Sequence, residues 1–276
     1  KLSLKEDSYK KLASAYADLI ISAGSSLVPV NIFAKADNNA RNIAIMDPGP
    51  LSRKFFNVCI IPKHDGVKES HNVVVTKGSL NNINLKRLEG DAKKLSERVV
   101  LSRNLKIGLL IGGSNENFLL DADIVGKVID EIKDIDADIL VTTSRRNAKE
   151  VENVVKEKFG SFKTYRLLII ISEENFDFAL TGIMGLSDII IVSGDSSSMV
   201  SEAASSGKNV LVFEPKIINK NNKHLALLKN FDEEGIINLT SVSEIKNKIT
   251  FLIKNKVTPL RLDDNQAILK AVERFV

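Results

Sequence analysis

The sequence predicts an α/β protein made of two Rossmann-like parallel-sheet domains that face a cleft, the first of them incomplete. Three observations carry this expectation. Short runs rich in Val and Ile recur along the chain and are cut by Gly or Pro, as strands buried on both faces are. Segments with apolar residues at helical spacing follow many of these runs, and repeated strand–helix–strand order builds parallel sheets covered by helices. A charged helical stretch over residues 85–104 divides the chain into two such blocks. The expected domains are therefore 1–104, with that stretch as a linker helix, and 105–276, with a terminal helix.

In the first block, strands are expected over residues 18–22, 42–46, 57–61 and 72–76. They stop at Gly24-Ser25-Ser26, at Asp47-Pro48-Gly49-Pro50, at Pro62 and beyond Thr76. Cys59 falls inside one of them and reads as core. This block lacks a Gly-rich first strand–helix turn, and residue 1 is Lys, so the chain is expected to start inside a longer protein. In the second block, a strand over 105–111 runs into Gly112-Gly113-Ser114-Asn115. A helix over 122–132 aligns Val125, Val128, Ile129 and Ile132 on one face. A strand over 138–142, a helix over 148–158 with Gly160 as its cap, and strands over 166–171, 188–192 and 209–213 follow. A helix over 199–205 stops at Gly207, and the tail over 263–275 reads as a helix opened by Asp263 or Asp264.

Composition excludes several classes. Of the 276 residues, 43% are hydrophobic and 27% charged, the balance of a soluble globular protein. No apolar run reaches the ~18–20 residues that span a bilayer. The single cysteine forms no intrachain disulfide and fits a reducing, cytoplasmic setting; with only three histidines, a Cys/His zinc site is not expected. The net charge of +4 is spread among acidic residues, and aromatics are 5% with no Trp, which argues against a nucleic-acid partner. Peripheral contact of a basic patch with an anionic membrane stays open.

Ligands of open parallel sheets bind outside the carboxyl ends of the strands. There the sequence offers Gly112, Gly113 and Ser114, whose backbone amides can approach a phosphate, or which make a plain tight turn. Next come Thr143, Ser144, Arg145 and Arg146, able to clamp a diphosphate or to sit on the surface. The third and most informative stretch holds Gly194, Asp195, Ser196, Ser197, Ser198, Met199 and Glu202. Its serines open a helix with free amides, and Glu202 can accept from ribose hydroxyls; the alternative is an ordinary capped helix. In the first block, His64 and Asp65 follow a strand and are the candidate acid–base pair, or a turn built on Asp65-Gly66. Gly24, Ser25 and Ser26 can line the same cleft. His71 and His224 receive no role. There is no nucleophile elbow, Walker loop or HExxH, and no Asp-x-Asp pair at a strand end, so no metal ligands are expected.

Set in order, several segments resemble the plant and bacterial mitochondrial-fission-type family, whose bacterial members are described as GT-B glycosyltransferases. They are residues 18–24, Pro62-Lys63-His64-Asp65-Gly66 with Asn72–Thr76 and Gly78, Ile111–Ser114, Leu140–Arg146 and Gly194–Ala203. The chain departs from the family pattern at Asn147 and Ser25, and lacks its opening strand and glycine-containing loop. The resemblance implies a GT-B architecture, with the donor nucleotide in the second domain, the acceptor mainly in the first, and the terminal helix packed back onto the first domain. The expected activity is metal-independent transfer from a nucleotide-diphosphate sugar, with no further cofactor, to a cell-envelope glycan or lipid. Gly112–Ser114 and Ser196–Ser198 would hold the diphosphate, Arg145 or Arg146 would neutralise it, and Glu202 would bind ribose. The rivals are a non-catalytic recruitment scaffold with a residual nucleotide pocket, and a sugar-nucleotide epimerase.

Overall fold

The Val- and Ile-rich runs form strands where a parallel sheet covers both of their faces. The computed structural model describes residues 5–174 and 176–273, which fall into two compact units: 5–80 with 263–273, and 81–262. The first unit begins with α1 (Glu6–Ala13), β1 (Leu19–Ala23), α2 (Val28–Asn38), β2 (Arg41–Ile45), β3 (Val58–Pro62) and β4 (Val73–Thr76). The second runs through α3 (Leu85–Ser96), β5 (Leu105–Leu110), β6 (Phe118–Leu119), α4 (Ala122–Ile132), β7 (Ala137–Thr142), α5 (Lys149–Ser161) and β8 (Tyr165–Ile169). It continues with α6 (Ala179–Leu186), β9 (Ile189–Ser193), α7 (Ser197–Ser205), β10 (Asn209–Phe213), β11 (Lys216–Ile217), α8 (Lys223–Glu233), β12 (Asn238–Thr240) and α9 (Ile245–Asn255). The chain then returns to the first unit as α10 (Asn265–Glu273).

The first sheet has the order β1-β2-β3-β4, all parallel. Side chains alternate across β3 with the period of a strand. Cys59 and Ile61 pack with Val28, Ala44, Phe56 and Val73, whereas Val58 and Ile60 pack with Ile43 and with Ala271 of α10. The Cys59 thiol is fully buried, and burial pushes its pKa up to about 11, so it is core and not a nucleophile. Asp264 latches the returning tail: its carboxylate accepts from the amides of Lys77 at 3.0 Å and Gly78 at 3.1 Å.

The second sheet has the order β12-β10-β9-β5-β7-β8, again all parallel. From β5 the chain builds outward to β7 and β8, then returns to β9 and builds the other way. The order therefore reverses between β5 and β9, the switch point at which such sheets open a crevice. Alternate residues of β5 feed two cores. Ile107 and Leu109 face the α4, α5 and α9 side, and Leu110 faces the α6 and α7 side.

Several sequence-based boundaries shift. Of the stretch read as a linker helix over 85–104, only 85–96 is helical, as α3, and it belongs to the second unit. It packs against α6 at a distance only glycine permits: a Cβ on Gly185 would lie 2.4 Å from the Leu88 carbonyl oxygen, and one on Gly182 3.0 Å from that of Asp91. The same contact is tied by Thr181, whose hydroxyl donates to Asp91 at 2.6 Å. Gly160 does not cap α5, which continues to Ser161. The terminal helix packs back onto the first unit, as the family resemblance implies, although the 105–276 boundary counts it with the second block: Ile268, Ala271 and Val272 cover the Val58 and Ile60 face of β3. Helices α1, α2, α6, α8 and α9 were not read from the sequence. α6 is mostly small and apolar and carries two interior glycines, which hide its helical period.

Gly185→Ala tests the α3–α6 contact. Helix propensity alone would favour alanine by ~1 kcal/mol, but forcing a methyl against a backbone carbonyl costs ~1–3 kcal/mol or more. We expect net destabilisation of about 1–2 kcal/mol in urea unfolding; a neutral or stabilising effect would show that the helices can separate freely.

Candidate functional site

The β5–β9 switch point brings together the two glycine-containing turns the sequence singled out. Gly112 and Gly113 follow β5, while Gly194 and Asp195 follow β9. Their contact is closer than a phosphate cradle would be. A Cβ on Gly112 would lie 2.3 Å from both carboxylate oxygens of Asp195, so the missing side chain makes room for that carboxylate. The Gly112 amide donates to the Ser193 hydroxyl at 2.7 Å, and the Gly113 amide to Asp195 Oδ2 at 2.9 Å. Gly113 is also pressed against the Arg146 backbone, where a Cβ would meet the carbonyl carbon at 2.6 Å. The turn is thus filled from within by an acidic side chain.

Asp195 is 2% exposed and joins the turn to a cation: Arg146 donates to its Oδ2 at 3.0 Å. The other carboxylate oxygen, Oδ1, is buried and has no hydrogen-bond partner. Burial pushes the carboxyl pKa up, while the Ser193 hydroxyl, the Gly113 amide and the Arg146 charge pull against that shift. The Asp195 backbone carbonyl accepts from the Asn115 side chain at 2.9 Å.

Outside this pair opens a polar recess of about 480 Å³, lined by Asn115, Glu116, Asn117, Arg146, Asp195, Ser196, Ser197 and His224. Ser196 is the N-cap of α7 and accepts from the Met199 amide at 3.4 Å. The Ser197 and Ser198 amides have no partner within the helix, and its N-terminus carries partial positive charge. The recess therefore holds a helix N-terminus, one guanidinium and side-chain amides, the donor set that receives an anion.

The other expected site residues divide. Ser114 is used locally, donating to the Leu120 carbonyl at 3.2 Å and accepting from its amide at 3.0 Å. Thr143 is buried and accepts from the Ile171 amide at 3.1 Å. Ser144 shapes the turn after β7, its hydroxyl accepting from the Arg146 amide at 3.2 Å. Arg145 is exposed and does not line the recess, so Arg146 is the member of the pair that faces it. Gly194 packs against Leu228 and Val212, and Met199 packs against the core. Glu202 is half-buried on α7, also outside the recess lining. Burial pushes its pKa up, and the Arg87 charge offsets part of that rise. In the first unit, His64 and Asp65 sit half-buried in the single turn Lys63–Asp65 that ends β3. That turn closes on Gly66 in the left-handed region at φ 72°.

Sequence reasoning missed Asn115, Glu116, Asn117 and His224. The asparagines directly follow the Gly-Gly-Ser turn, a local signal that could have found them. His224 had none: it arrives from α8 and sets its ring edge-on to Phe118, 5.2 Å between centroids. The β6–β11 pair ties the 115–119 loop to the segment leading into α8. Among the described residues, no group of three or more His, Cys, Asp or Glu side chains is arranged to hold a metal ion. No helix among them is long and apolar enough to cross a membrane.

Two parallel-sheet α/β units, with a polar recess at the switch point of the second, define a protein of the GT-B fold class. The chain belongs to the Mitochondrial fission ELM1 family, whose model matches residues 2–274. An uncharacterized protein of Rickettsia prowazekii (strain Madrid E) is 24% identical over 296 residues, covering 94% of this chain and 80% of that protein. Among solved structures, the UDP-GlcNAc 2-epimerase of Methanocaldococcus jannaschii superposes with a TM-score of 0.60 at 12% identity, over 96% of this chain and 79% of that one. The Neisseria meningitidis UDP-GlcNAc 2-epimerase bound to UDP-GlcNAc gives 0.59 at 16% identity, over 93% and 76%. Acinetobacter baumannii MurG gives 0.52 at 15% identity, over 97% and 71%. At such identities the likeness shows the fold.

Because the folded-state pKa of Asp195 is raised, the folded protein keeps a proton that the unfolded chain loses above about pH 4. Its contribution to stability therefore falls as pH rises from there through the folded value. Asp195→Asn cannot ionise and should escape that fall. Urea unfolding across this range should show wild type losing stability relative to the variant; a constant difference would refute the raised pKa.

Proposed function

We propose that this protein is a nucleotide-sugar-dependent glycosyltransferase that holds its donor diphosphate in the recess at the β5–β9 switch point. The observation that carries the reading is Arg146, held at 3.0 Å by buried Asp195 beside the N-terminus of α7. In glycosyl transfer the acceptor oxygen attacks the anomeric carbon, and the nucleoside diphosphate departs with the bond's electron pair. Charge then grows on the β-phosphate, where a fixed guanidinium and helix amides stabilise it. Arg146 supplies positive charge that a divalent ion supplies in metal-dependent transfer, which supports a metal-independent reaction. Glu202 is the proposed ribose ligand. His64, or Asp65 beside it, is the proposed base that takes the acceptor's proton, and the acceptor is a cell-envelope glycan or lipid.

A second reading, sugar-nucleotide epimerase, is favoured by the fold likeness to the two UDP-GlcNAc 2-epimerases. Incubation with UDP-GlcNAc alone separates the two. An epimerase forms the 2-epimer without any acceptor, and a transferase consumes donor only when an acceptor hydroxyl is present.

Donor binding is tested by thermal shift with UDP, GDP, CDP and ADP. A nucleotide at ~100 times its Kd should add ~2.7 kcal/mol. Arg146→Ala should weaken the preferred nucleotide by ~10- to 150-fold, corresponding to the ~1.5–3 kcal/mol of a hydrogen bond to a charged group. Stabilisation by none of the four, or unchanged affinity in a folded Arg146→Ala variant, removes the recess as the donor site.

Where transfer is measured, it should persist in excess EDTA. His64→Ala should slow turnover by ~10²–10⁴ with little change in donor affinity. Loss of activity in EDTA with recovery on adding Mn²⁺ would overturn the metal-independent mechanism, and normal turnover of His64→Ala would leave Asp65 as the base.

A further inference from the structure

The recess at the β5–β9 switch point has the hydrogen-bond donors of an anion site without the charge of one. Among the described residues that line it, Arg146 is the one Lys or Arg, and it shares the lining with two acidic side chains, Asp195 and Glu116. With both carboxyls ionised the lining is net negative, and with Asp195 protonated it is neutral. The N-terminus of α7 adds about half a positive charge. Arg145, Lys216, Lys220 and Lys223, on flanking segments, lie outside the lining.

Glu116 is the unexpected member. It is exposed, and its carboxylate has no ion-pair partner among the described residues. Its place is nonetheless fixed by the backbone around it. The Asn115 amide donates to the Phe118 carbonyl at 2.9 Å, and the Asn115 side-chain oxygen accepts from the amides of Asn117 at 2.8 Å and Phe118 at 3.0 Å. From the other side, the Asn117 carbonyl accepts from the Ile218 amide at 2.9 Å, and the Asn117 side chain accepts from Asn219 at 3.1 Å. Glu116 therefore stands on a turn held from both sides. A recess of about 480 Å³ is about as wide as the ~8–10 Å Debye length near physiological salt, so charges across it are only partly screened.

We infer that Glu116 is a charge-selecting residue of the donor site: it admits a nucleoside diphosphate capped by an uncharged sugar and disfavours a nucleotide that ends in a further phosphate. This inference rests on the donor-site reading above, since it takes the diphosphate to lie against Arg146 and the α7 N-terminus. A sugar beside Glu116 donates hydroxyl hydrogens to its carboxylate in charge-assisted hydrogen bonds. A terminal phosphate in the same place meets a like charge, and the lining holds no second Lys or Arg to offset it.

The test is calorimetric titration at pH 8 in excess EDTA, so that neither histidine charge nor a chelated metal ion enters. The glucose esters of UDP, GDP, CDP and ADP are compared with UTP, GTP, CTP and ATP. Wild type should bind the sugar nucleotide of its preferred base about fivefold or more tighter than the matching triphosphate, the effect of like charges ~4 Å apart in water. Glu116→Gln should tighten the triphosphate about fivefold while changing the sugar nucleotide by no more than about twofold. Glu116→Lys should tighten the triphosphate further. Glu157→Gln, which removes the same charge from the exposed surface of α5, should bind as wild type does. Both positions are exposed, and unchanged thermal unfolding checks that the variants fold. The inference alone is overturned if binding needs Arg146 but Glu116→Gln leaves the ratio of the two ligands unchanged. It is equally overturned if Glu116→Gln reorders the four bases, which would make Glu116 a reader of the nucleobase. If neither class of nucleotide binds, or if binding ignores Arg146→Ala, the donor-site reading falls and this inference with it.

Discussion

A buried carboxylate at the point where a parallel sheet changes direction organises the second unit. Asp195 lies against Gly112 so closely that no other residue type fits there without displacement. Its Oδ2 receives the Gly113 amide and the Arg146 guanidinium, and its backbone carbonyl receives Asn115. Three loops, from the ends of β5, β7 and β9, are thereby joined by one side chain. A buried charge with one unpartnered oxygen is expensive. In return it sets the direction of Arg146 at the mouth of a polar recess, so that less side-chain entropy is left to lose when the guanidinium takes a partner.

Glycine plays a second part in the fold, and it is steric and not conformational. Gly112, Gly113, Gly182 and Gly185 all have ordinary φ values, yet each has a neighbour where a side chain would stand. Two of them bring loops together at the switch point, and two bring α3 against α6. The α3–α6 contact makes α3 part of the second unit's core, with Leu88 and Leu95 packed against Ile183 and Met184. On the face of α3 beside it, Arg87 lies near enough to Glu202 to offset part of the effect of its burial. A helix whose composition suggests a linker is thus coupled to the helix that opens the recess.

Charge is handled differently on the two sides of this unit. At the start of β7, Asp138 is fully buried, yet it accepts from the Ser102 and Arg103 amides and from Arg166 at 2.7 Å. Burial alone would raise its pKa, but these donors outweigh it and hold the carboxyl below its usual range. That group is structural. At the opposite ends of the strands, Asp195 keeps one oxygen free and its pKa is raised. The same residue type has its pKa lowered at one end of the sheet and raised at the other, and the number of donors decides which.

The sequence by itself determined nine of the strands and their parallel arrangement, because short Val- and Ile-rich runs bounded by Gly and Pro admit few other structures; β6, β11 and β12, two or three residues long, carry no such run. It also located the turns after β5, β7 and β9, since Gly112, Arg146 and Ser196 are unusual residues at strand ends. It could not decide which of those residues face one another. Arg145 and Arg146 are equivalent in sequence, and only the fold turns Arg146 toward Asp195 and leaves Arg145 in solvent. The glycine turn and the acid that fills it are separated by eighty-two positions, and no local pattern records a contact at that distance. His224 enters the recess from α8 for the same reason; the return of α10 to the first unit was expected from the family resemblance, and the fold shows its cause, the face of β3 and β4 that needs an apolar cover. Local propensity sets which elements form; the burial of surfaces far apart in the chain sets which of them meet.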